Sequence, residues 1–158
     1  MNKMIRNIIA GGGVGTLFLL QIIGASGTMN FLFFPAASLY IATYMTAPLA
    51  FVLGVFVGSI WDSISLAPFG AYALGLGGSM GGASLYMRFV DERNMAAHSF
   101  VAFFFWGIFT SVFGILYLVL GKGMQVITLH GYDSLIGFFV LAVLAGCHMG
   151  LRKLYRRA

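Results

Sequence analysis

Acidic side chains are scarce in this sequence. Asp and Glu together number 4 in 158 residues, and all charged residues make up 8% of the chain. A soluble domain of this size carries about 25% charged residues. It also leaves about a third of its unfolded-chain surface in water. A chain that is 60% hydrophobic, with a mean hydropathy of +0.96, lacks the polar surface to cover such an exterior. The bilayer is therefore the expected solvent. Cysteine is nearly missing too. Cys147 alone excludes an internal disulfide, and lying in an expected membrane segment it says nothing of redox compartment. There are three prolines, no linker-like or low-complexity stretch and no internal repeat. One membrane domain over residues 1–158 is expected, with no soluble catalytic domain beside it. The net charge of +5 is no nucleic-acid footprint, because the basic residues sit at the chain ends and in one loop, as topology signals do.

What is present is a series of apolar runs. About 20 helical residues cross a hydrocarbon core, and six segments approach that length: 8–27, 31–47, 48–66, 69–88, 96–120 and 134–153. The opening "MNKMIRNIIAGGGVGTLFLLQIIGASG" has the layout of a signal peptide and is expected to stay as the first membrane helix. The second and third segments are nearly fused. Pro48 separates them, since proline suits a first helical turn and disrupts an interior, so a tight turn is expected near "MTAP". Lys3, Arg6, Arg88, Arg93, Arg152, Lys153, Arg156 and Arg157 fall on one side of this layout and only Lys122 on the other. The fold class is thus an all-α integral membrane protein, a six-helix bundle with both termini cytoplasmic. The "SISLAP" turn and the "GKGMQVITLHGYD" loop are placed outside.

One acid lies within a span. In "GVFVGSIWDSISLAPFG", Gly54, Gly58, Asp62 and Ser65 are spaced four, four and three apart, so they share one face of the third helix. The two glycines form a small-xxx-small pair that admits a neighbouring backbone. Asp62 lies near the helix C-terminus, where the macrodipole disfavours negative charge, so it needs a partner. Two readings are open. Asp62 caps the outer turn by accepting backbone N–H groups of residues 64 to 70, or it faces a pocket, a partner protein or an ion path, as intramembrane acids often do. Pro68 and Gly70 shape the turn that follows. On the fourth helix Ala71, Gly75, Gly78 and Gly82 form a stripe of small residues, for packing inside the bundle or against a second protein. Gly11 and Gly15 on the first helix read as packing positions and Gln21 as an interior amide.

Other chemistry is thin. "GLGGSMGG" has neither the preceding strand nor the following Lys-Ser/Thr of a phosphate loop. His98, His130 and His148 are scattered, and none stands at metal-ligand spacing. No nucleophile–base pair is evident, so no catalytic, cofactor or metal site is expected. The tail "RKLYRRA" suits anionic lipid headgroups.

The segment "GVFVGSIWDSISLAPFGAYAL" resembles the signature of the rod-shape-determining MreD family, Gly-x-x-x-Gly-x-x-x-Asp-x-x-Ser followed after a short gap by Gly-x-x-Ala-Leu. Here the pattern falls on Gly54, Gly58, Asp62, Ser65, Gly70, Ala73 and Leu74. Length, six spans, Pro35 opening the second helix and a basic tail agree with that family. "PAASLY" departs from it, lacking an acid that members often carry after that proline. The resemblance implies a non-enzymatic, multi-pass component of the bacterial inner membrane. Its partners would be a bitopic MreC-type scaffold and the peptidoglycan synthase pair of RodA and its transpeptidase, coupled to MreB filaments. Gly54, Gly58, Asp62, Ser65, Gly70, Ala71, Gly75, Gly78 and Gly82 are the docking or pocket candidates, and self-association is compatible with this reading. The rival reading is the substrate-binding S-component of an energy-coupling-factor vitamin transporter, which shares the layout. Trp61, Asp62 and Tyr72 would then line a ligand site, and the small residues of the first helix would dock a coupling subunit. A channel ranks below both, because Asp62 alone makes no relay, and an intramembrane enzyme ranks lower still.

Overall fold

The computed structural model describes residues 3–25, 33–65, 70–90, 94–121 and 124–155. These form six α-helices: α1 Lys3–Ala25, α2 Phe33–Ala42, α3 Ala47–Ser65, α4 Ala71–Tyr86, α5 Met95–Val119 and α6 Met124–Tyr155. Among the described residues there is no strand. Helices α3 and α4 form an antiparallel hairpin with the most extensive contact in the molecule, α5 packs on α4, and α6 on α5. Helix α2 occupies the centre, touching α1, α4, α5 and α6, whereas α1 lies at the edge against α2 and, more lightly, α3.

Two expected boundaries differ. The segment 31–47 was expected to span, yet α2 is 10 residues long, about 15 Å at 1.5 Å per residue. It stops at a turn over 43–46, where Thr43, Tyr44 and Met45 donate N–H groups to Tyr40, Ile41 and Ala42. Every residue from Pro35 to Tyr40 is buried, as befits a helix that is apolar all round. The "GKGMQVITLHGYD" loop is largely helix, because α6 already begins at Met124. Helix α5 is followed, after its cap residue Leu120, by Gly121, whose φ of 62° supplies the left-handed residue that closes many helices. At its other end Asn94 caps α5, accepting the N–H of Ala96 at 3.1 Å.

The core is aromatic: Trp106, Phe109 and Phe113 of α5 are almost wholly enclosed, together with Leu39, Leu76 and Met80. The exterior is apolar as well. Phe100, Phe104, Ile108, Val112, Ile115 and Val119 are all exposed, and their spacing of three and four lays them along one outer stripe of α5. Among the described residues one helix, Ala96–Val119, is long and apolar enough to cross a membrane, and Ala47–Ser63 and Ser134–Met149 are shorter apolar helices.

Candidate functional site

The α3–α4 hairpin begins with glycine. A Cβ at Gly54 would stand 2.7 Å from the Gly77 Cα, and one at Gly58 would overlap the backbone of Tyr72 and Ala73. The four-residue spacing read from the sequence therefore marks a surface where two backbones touch, as small-xxx-small pairs allow.

Asp62 continues that face and is 4% exposed. Its Oδ2 accepts the N–H groups of Gly70 at 3.0 Å and Ala73 at 3.1 Å. Its Oδ1 accepts that of Tyr72 at 2.8 Å. Gly70 is the N-cap residue of α4, with φ 88°, and has no side chain with which to cap. The cap comes instead from the preceding helix. The unfavourable dipole end of α3 is thereby offset by the favourable N-terminal end of α4. The structure thus selects the capping geometry: Gly70 lies in the expected range of donors, and Tyr72 and Ala73 in the first turn of α4 join it. Both carboxylate oxygens thus accept backbone donors of α4. Ser65 is the last residue of α3, and Pro68 lies outside the described residues.

The remaining small residues divide among different neighbours. Gly75 faces Phe113 and Phe109, and Gly82 faces Phe105. Gly78 is exposed, with open space where a Cβ would stand, and Ala71 is half-buried. The stripe that meets α3 is Ala73, Gly77 and Gly81, opposite Gly58, Val55 and Phe51. On α1, Gly11 approaches Met45 and Leu53, while among the described residues nothing lies within 4 Å of where a Cβ on Gly15 would stand. Tyr72 is packed against Phe113, with ring centroids 4.5 Å apart, and its hydroxyl lies 3.2 Å from that of Tyr117. Trp61 meets the Tyr72 ring edge-on at 6.5 Å.

The opposite end of the bundle holds a second polar centre, around the 43–46 turn. Asn7 of α1 accepts the Thr46 N–H at 3.2 Å and donates to the Thr46 hydroxyl at 3.3 Å. Ser84 of α4 donates to the Met45 carbonyl at 2.6 Å. His98 of α5 meets the Thr43 hydroxyl at 2.9 Å and stacks on Tyr44, centroids 4.1 Å apart and planes 5° off parallel. Nδ1 of His148, from α6, lies 2.8 Å from the Tyr40 hydroxyl and 3.0 Å from that of Tyr44. Four helices from elsewhere in the chain thus converge on four residues. Two histidines that look scattered in the sequence flank one tyrosine. His130 is placed on α6, away from this group in sequence. The available signal was "YIATYMTAP", where Tyr40, Thr43, Tyr44 and Thr46 interrupt an otherwise apolar run.

Among the described residues no three His, Cys, Asp or Glu side chains gather as a metal site. No protein-family model matches the chain, and no curated protein or solved structure matches it.

Proposed function

We propose that this chain is a non-enzymatic, six-span component of the bacterial inner membrane that binds other membrane proteins of the cell-elongation machinery. Both termini lie in the cytoplasm, together with the 43–46 turn, and the Asp62 end faces outward. The apolar exterior of α5 and the gathering of basic residues at the chain termini support a bilayer setting. In this reading the partners are an MreC-type bitopic scaffold and the RodA–transpeptidase synthase, and the protein takes no cofactor.

The observation that carries the proposal is the joint use of the residues on which the MreD resemblance rests. Gly54 and Gly58 let α4 approach, Asp62 caps it, Gly70 makes the turn, and Ala73 donates its N–H to the Asp62 carboxylate. Leu74, one position on, points out of the bundle and is 72% exposed. The motif describes a rigid hairpin that presents an apolar outer face, which suits a docking element better than a reaction centre.

The test is affinity purification of the tagged chain from its native membranes in mild detergent, with partners identified by mass spectrometry. Recovery of a bitopic periplasmic coiled-coil protein with a cell-wall synthase, lost on Leu74→Arg in a chain that still folds, is the expected result. Recovery of paired ATPases with a membrane coupling subunit would overturn it in favour of a vitamin transporter component.

A further inference from the structure

We draw no further inference here: the strongest candidate, the outer face of α4 where exposed Leu74, Gly78 and Leu85 line up at helical spacing, is an unpartnered apolar face, and nothing in the structure shows what covers it.

Discussion

The two ends of the bundle are fastened in opposite ways. At the Asp62 end one side chain satisfies three backbone donors that lie 8, 10 and 11 residues further along the chain. At the turn end, side chains from α1, α4, α5 and α6 reach a single turn across separations of 39 to 104 residues. The first is a local fastening within one hairpin. The second forms only when the whole bundle is assembled. A local fastening concentrates its stabilisation in few residues, whereas a distributed one spreads it over many.

That contrast can be broken experimentally. The largest effect is expected for Gly58→Leu, since the new side chain meets α4 backbone that has nowhere to go. It should cost more than about 4 kcal/mol and yield no monodisperse protein on size-exclusion chromatography. Asp62→Ala follows, stranding three N–H groups of α4, with a loss of about 2–4 kcal/mol readable as a lowered unfolding midpoint in denaturing detergent. Asp62→Asn, which keeps an acceptor, should fall between that variant and the parent. At the other end Ser84→Ala, which orphans the buried Met45 carbonyl, should cost about 1–2 kcal/mol. The combined Asp62→Ala and Ser84→Ala chain should show additive losses within about 0.5 kcal/mol. A larger coupling would mean that the two ends are not separate fastenings. Smallest is Gly78→Ala, whose methyl enters open space and should stabilise by about 0.5–1 kcal/mol, raising the melting temperature slightly.

The same contrast explains what could be read from the sequence. Gly54, Gly58 and Asp62 are legible because helical periodicity puts residues four apart on one face, and their partners all come from the next helix and its cap. The proline at 48 likewise announced the break between α2 and α3, and the six-helix count was readable from the apolar runs. The stripe of Ala71, Gly75, Gly78 and Gly82 was legible only as a set of small residues. Helix α4 is wedged between α3 and α5, so consecutive glycines serve different neighbours, and periodicity does not say which. Gly77 and Gly81, which meet α3, are out of phase with the stripe. His98 and His148 were opaque for a plainer reason: fifty residues separate them, and only the packing of α5 against α6 brings both to Tyr44. The helical start of α6 was hidden by polar residues and glycine that in isolation favour a loop.

Gly70 has no side chain, and α4 therefore borrows its cap from α3. In the bilayer proposed for this chain, that arrangement bears on biogenesis. A helix carrying Asp62 alone would enter lipid at a penalty of about 2.5–3.5 kcal/mol for a carboxylate at mid-membrane, less near the rim. The donors that offset this charge are made within the next dozen residues of synthesis. Neither helix is complete without the other, one having an unmatched charge and the other unmatched N–H groups. The unit that the insertion machinery must deliver is accordingly the hairpin from Ala47 to Tyr86, released sideways into lipid as a pair.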